Sequence, residues 1–129
     1  MDSPPELNDI TGAIIGAGIK VHTRLGPGLL EHAYKRCLGH ELRKAGLSVA
    51  AEVPVALEYD ELTIADAYRL DLLVEDTVIV EVKAVEKVLP VHHAQILTYL
   101  KLTEKTVGLL LNFNVIRLPE GIKRLVNDL

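Results

Sequence analysis

Residues 68 to 84 constrain the fold of this chain more than any other stretch. Two apolar runs, Tyr68 to Glu75 and Thr77 to Ala84, lie on either side of Glu75-Asp76, and their spacing predicts a hairpin of two short strands. Period-two geometry then puts Arg69, Asp71 and Leu73 on one face of the first strand, with Leu70, Leu72 and Val74 on the other. In the second strand Ile79, Glu81 and Lys83 share a face opposite Val78, Val80 and Val82. Folding back at Glu75-Asp76 brings Asp71 beside Glu81, so the polar residues converge at one place on neighbouring strands.

The flanks predict an α/β protein. Leu7, Ile10, Ile14, Ile15, Ile19 and Val21 recur at helical intervals, with Asn8 or Thr11 as caps. Gly26-Pro27-Gly28 breaks that pattern, and a second helix is expected from Leu29 to Lys44, ended by Gly46. Val49, Val53, Val55 and Leu57 begin a strand meander, with a turn or bulge at Leu62 to Ile64. After Pro90 come a helix over Val91 to Leu102, a strand over Thr106 to Asn112 apolar enough to be buried on both faces, and a last helix over Pro119 to Val126. With 129 residues, 49% hydrophobic and 25% charged, the chain suits one folded domain, expected over 8–129 after a flexible start at 1–7.

Paired carboxylates beside an amine suit a hard cation such as Mg2+ or Mn2+, which prefers oxygen ligands and retains waters. Such an ion polarises a phosphoryl oxygen and acidifies a bound water. Lys83 then has three open roles: orienting that water, taking its proton, or offsetting charge on phosphorus. The bland alternative is a surface ion pair on a solvated strand.

The same residues resemble the PD-(D/E)XK nuclease superfamily, whose core carries Asp and Glu-x-Lys on adjacent strands of a mixed sheet flanked by helices, the restriction-endonuclease-like fold. More closely, the chain is similar to the small prokaryotic GxxExxY proteins. Gly28-Leu29-Leu30-Glu31-His32-Ala33-Tyr34 carries their motif, and the likeness continues through YRLDLLVED, VIVEVKAVE, AQILTYLKL, GLLLNF and GIKRLVN. The resemblance implies Asp71, Glu81 and Glu31 as metal ligands, with Lys83 and Gln95 completing the catalytic set. It implies Mg2+, with Mn2+ as substitute, and DNA or RNA as substrate. Thr63-Ile64-Ala65-Asp66-Ala67 replaces the usual glycine-containing approach to the second strand.

Other residues keep two readings. Arg69 meets a phosphate or neutralises the carboxylates; Tyr34 and Tyr99 contact sugar-phosphate or pack in the core. Arg117, Lys123 and Arg124 form a basic C-terminal patch for phosphates or a solvated face. His92-His93 lacks metal-ligand spacing, and Gly16-Ala17-Gly18 lacks the residues of a phosphate loop and suits close helix packing. The formal charge of −4 predicts no global attraction to nucleic acid. One cysteine excludes an intrachain disulfide framework; with no secretory pattern or membrane-length apolar run, a cytoplasmic protein without membrane contact is expected. A nuclease hydrolysing phosphodiesters is therefore the leading expectation, and a noncatalytic nucleic-acid-binding or protein-interaction module the alternative. A homodimer or a protein partner would extend the grip of so small a domain.

Overall fold

The computed structural model describes residues 6–127. Its elements are α1 (Leu7–Leu25), α2 (Glu31–Lys44), β1 (Val49–Tyr59), β2 (Leu62–Val74), β3 (Val78–Lys83), α3 (Pro90–Thr103), β4 (Val107–Asn112) and β5 (Ile122–Val126), with a 3-10 turn at Leu118–Gly121 before the last strand. The strands form one mixed sheet in sequence order. β1, β2 and β3 are an antiparallel meander, β4 runs parallel to β3, and β5 closes the far edge antiparallel to β4. The one parallel neighbour requires a crossover, which α3 supplies.

Two apolar layers hold the helices to the sheet. Ile10, Ile14 and Val21 of α1 and Tyr34, Leu38 and Leu42 of α2 pack on Leu72, Val80 and Leu109. On the opposite face Ile96, Tyr99 and Leu100 of α3 cover Val55, Leu70, Ile79 and Leu110. Every residue of β4 is buried, as a central strand covered on both faces must be. Each fully buried Leu, Ile or Val in these layers contributes about 1.5–3 kcal/mol. α1 approaches β4 closely at Gly18, where a Cβ would meet the Leu111 side chain at 2.8 Å, so the expected close packing falls on Gly18, whereas a Cβ at Gly16 would meet open space. Pro54 is accommodated because β1 is an edge strand.

Four sequence expectations are corrected. The segment Ile122–Val126 is a strand, not a helix: a ladder to β4 satisfies its backbone, and Ile122 and Leu125 pack on opposite faces of the sheet. β2 is continuous from Leu62, the irregularity being a register shift between Val55 and Leu57 in its partner. Asn8 and Thr11 do not cap α1, which begins at Leu7 after Glu6 without a side-chain cap. Of the expected flexible start, residues 1–5 lie outside the described residues, whereas Leu7 is helical.

The fourth correction concerns strand parity. Ala51 pairs with Leu72 and Val53 with Leu70, but between them Glu52 takes a left-handed backbone, φ 54°. Asp71 stands opposite, and both strands roll over at this point. Leu70 consequently packs under α3 whereas Leu72 and Val74 pack under α1 and α2, instead of sharing a face. The meander extends past this roll as an arm, Ala56 to Ala67, whose side chains are mostly exposed. Direct opposition of Leu57 with Ile64 and of Tyr59 with Leu62 places all four on one face of the arm.

Candidate active site

The β2–β3 ladder pairs Val74 with Val78, Leu73 with Ile79 and Leu72 with Val80, then stops. At the next step side chains take over from the backbone. The Asp71 N–H donates to Glu81 Oε2 at 2.8 Å, and the Val82 N–H donates to Asp71 Oδ2 at 2.8 Å. Each carboxylate thus accepts a hydrogen bond from the opposite strand and is held where the strands separate. Glu81 is only 4% exposed. Burial first, and then the Asp71 charge, push its pKa from the ordinary 4.5 up to about 8. Burial also raises Asp71, against the Val82 hydrogen bond and the Lys35 and Lys83 charges.

The GxxExxY segment acts as a single positioning device. Gly26 and Gly28 have φ of 69° and 102°, which lets the chain turn sharply between α1 and α2. The Tyr34 hydroxyl closes that turn by donating to Gly26 O at 2.5 Å and accepting from the Leu29 N–H at 3.0 Å. Its ring is fully buried and stacks on Phe113 with centroids 4.5 Å apart. Tyr34 therefore does not reach sugar-phosphate; its ring is core and its hydroxyl shapes the loop. That loop delivers Glu31 to the first turn of α2, where Oε1 accepts from the Ala84 N–H at 3.3 Å, just beyond Lys83.

Lys83, Gln95, His92, Tyr68 and Tyr99 line a groove of about 500 Å3 between the end of β3 and α3. Tyr99 and Tyr68 are in tilted contact, centroids 5.5 Å apart. Burial and the charges of Glu81 and Asp71 raise the Tyr99 phenol to about 12, so it stays a neutral hydrogen-bonding group. His92 is committed to the helix start, its Nδ1 accepting from the Leu89 N–H at 2.9 Å. Asn112 ties down the loop leaving β3, bonding the Val85 N–H and carbonyl at 3.0 and 2.9 Å.

The remaining expected contacts are dispersed. Arg69 is exposed and pairs with Asp66 at 3.1 Å rather than facing Asp71. On a strand Lys123 and Arg124 point to opposite faces, and Arg124 reaches Asn8 and Thr11 of α1 at 3.5 Å. Arg117 lies in the loop beside Gly26-Pro27. The expected basic C-terminal patch is therefore not one surface, because the helix that would have gathered it is a strand.

Lys35 is the cation sequence reasoning missed. It bonds Glu52 and stands 3.9 Å from Asp71. Burial lowers its pKa, but the Glu52 hydrogen bond and the charges of Asp71, Glu52 and Glu81 outweigh that and raise it. The available signal was its position four residues after Glu31, on the same side of α2.

Among the described residues no three His, Cys, Asp or Glu side chains form a ready-made metal cage. The buried Asp71–Glu81 pair nevertheless fits a hard divalent ion, which is held through one or two carboxylates with waters completing its shell. All-oxygen donors and proton affinities raised chiefly by burial suit such a charge. A family model described as the PD-(D/E)XK nuclease superfamily matches residues 8–125. The chain belongs to that superfamily, whose members generally use divalent metals and whose nuclease activity points to a nucleic-acid substrate. No curated protein and no solved structure matches it. No described helix is long and apolar enough to cross a membrane.

Two outcomes follow from this geometry. Folded Glu81 holds its proton up to about pH 8, whereas the unfolded chain releases it near 4.5. The stability this group contributes is thus fully present below about 4.5 and lost as pH rises through about 8. Urea titrations of the metal-free protein should show stability falling from pH 5 to 8, and Glu81→Gln should flatten that slope; an identical slope in the variant would remove Glu81 as its source. Tyr34→Phe leaves Gly26 O and the Leu29 N–H without their partner and should cost about 1–2 kcal/mol in the same assay.

Proposed function

We propose that this protein is a Mg2+-dependent nuclease of the GxxExxY group, a single domain over 8–129 that hydrolyses phosphodiester bonds in DNA or RNA in the cytoplasm. The observation that carries this reading is the reciprocal carboxylate–amide exchange of Asp71 and Glu81. It holds two carboxyl groups together, partly out of water, with Glu81 on the strand whose Lys83 lines a groove with Gln95. Mg2+, or Mn2+ in its place, would be held by Asp71 and Glu81, with Glu31 the third ligand. When bound, the ion supplies an acidified water and offsets charge on the phosphoryl oxygens.

The chain's own groups do the remaining work. Lys83 draws the phosphate into the α3 groove and stabilises negative charge there. The Gln95 amide, a donor and an acceptor, orients a water or a phosphate oxygen beside it. The neutral Tyr99 phenol contacts substrate from the groove wall. Lys35 and Glu52 fix the orientation of Asp71 from the α2 side.

A phosphodiesterase assay over single-stranded DNA, duplex DNA and RNA tests this. Wild-type turnover should need a divalent metal and stop with chelator. Asp71→Ala, Glu81→Ala and Lys83→Ala should each lower it on the order of a hundredfold or more. Equal residual activity in all four proteins would place the chemistry elsewhere. Salt-sensitive binding without wild-type turnover would instead favour a noncatalytic nucleic-acid-binding module, and partner capture without nucleic-acid binding a protein-interaction module.

A homodimer is supported by the β1–β2 arm. Tyr59 and Leu62, 74% and 57% exposed, share an apolar stripe with Leu57 and Ile64, and a second copy of the same stripe covers it with two-fold symmetry. Glu58, Asp60, Glu61 and Asp66 make the arm acidic and unsuited to nucleic acid. Light scattering should give a dimer mass that falls to the monomer in Tyr59→Lys/Leu62→Lys; a monomeric wild type at every concentration tested would refute the dimer.

A further inference from the structure

The helices carry the opposite charge to the rest of the chain. Lys20, Arg24, Lys35, Arg36, Arg43 and Lys44 of α1 and α2 face only Asp9, Glu31 and Glu41 on the same helices, in a chain whose formal charge is −4. Of those acids, Glu41 is already paired with Lys20 at 2.9 Å. On α2, His32, Arg36, His40 and Arg43 follow one another at helical spacing, and all four are exposed.

They form one wall of a groove of about 460 Å3 whose other wall is Ala51, Glu52 and Leu72. Its floor is shaped by Gly39, where a Cβ would press on the Arg43 guanidinium at 3.3 Å. Arg43 lies across that floor with Nη2 donating to Val49 O at 3.1 Å, so its charge is pinned in the groove. Arg36 has no ion-pair partner among the described residues. Glu52 is the groove's one acid, and Lys35 holds it. Lys35 also connects the groove to the catalytic carboxylates, since it is 3.9 Å from Asp71.

We propose that this α2–β1 groove is the track along which the substrate's sugar-phosphate backbone lies on its way to Asp71 and Glu81, with Arg36 and Arg43 as its phosphate contacts. The inference deepens the nuclease reading above and takes the identity of its ligand from it. From Lys35 to Arg43 the helix rises roughly 12 Å, long enough to meet more than one phosphate of a single strand. The groove's lining is mainly basic and holds no Phe, Tyr or Trp, which favours contact with phosphate over readout of base edges. The carboxylates thus stand between a basic groove on the α2 side and the Tyr68–Tyr99 groove on the α3 side. Local charge, and not net charge, brings an anionic polymer to an acidic protein.

The test uses the full chain with labelled single-stranded DNA, duplex DNA and RNA in chelator, so that binding is read without cleavage. Arg36→Ala should weaken binding several-fold and lower the slope of log affinity against log salt by about 0.7–0.9. Arg36→Glu/Arg43→Gln should weaken it at least tenfold. A thermal melt of each variant checks folding, and Arg36→Ala, which breaks no described contact, keeps the test valid if the double variant unfolds. Wild-type turnover of bis(p-nitrophenyl) phosphate, too small to span the groove, reads the carboxylate centre by itself. Unaltered affinity and salt slope would overturn the track even with nuclease activity intact, as would a wild type that binds none of the three polymers. Binding that responds as expected in a wild type that cleaves neither polymer nor small ester would instead fail the nuclease reading and leave the track standing.

Discussion

The exchange of backbone hydrogen bonds for side-chain ones at Asp71 and Glu81 is the constraint on which the rest of this structure depends. A β-hairpin that simply continued would seal its ladder and leave no room between the strands. Here the ladder ends at Leu72 and Val80, and two carboxylates accept the next amides. That satisfies the donors while forcing the strands apart, and it leaves each carboxylate with lone pairs facing the opening. The left-handed Glu52 in β1 and the change of face between Leu70 and Leu72 are the same event seen from the neighbouring strand and from the core.

The electrostatic cost of this arrangement is concentrated on Glu81. Burial and a neighbouring carboxylate both disfavour its charge, and Lys83 and Lys35 offset only part of the penalty. A packed core of valines and leucines on both faces of β3 and β4 holds the residues in place despite that cost. Stability is supplied by the layers, and the polar strain is stored where a divalent ion would relieve it.

Strand patterning carried much of the fold on its own. Glu75-Asp76 between a leucine-rich and a valine-rich run indicated the hairpin, both residues adopting the positive φ of a tight turn at 53° and 51°. The unbroken apolar run after α3 marked the doubly covered β4. The last element was misread because Ile122 and Leu125 are three apart, a spacing a helix also offers. Only the free edge of β4, available once the sheet assembles, makes them a strand. The error mattered for function, since it gathered Arg117, Lys123 and Arg124 into one patch that the strand disperses, while the basic residues of α2 went unremarked.

What the sequence determined by itself was the adjacency of Asp71 and Glu81, because the length of a tight hairpin fixes which residues stand opposite. It also contained Gly28, Glu31 and Tyr34 in a recognisable order, without revealing that the tyrosine staples the turn and never meets solvent. Tertiary structure alone decided which face each side chain occupies around the strand roll, the placement of Lys35 against Asp71, and the two grooves that flank the carboxylates. These depend on bulges and on contacts between elements far apart in the chain, and a local period of two or of 3.6 residues carries no record of either.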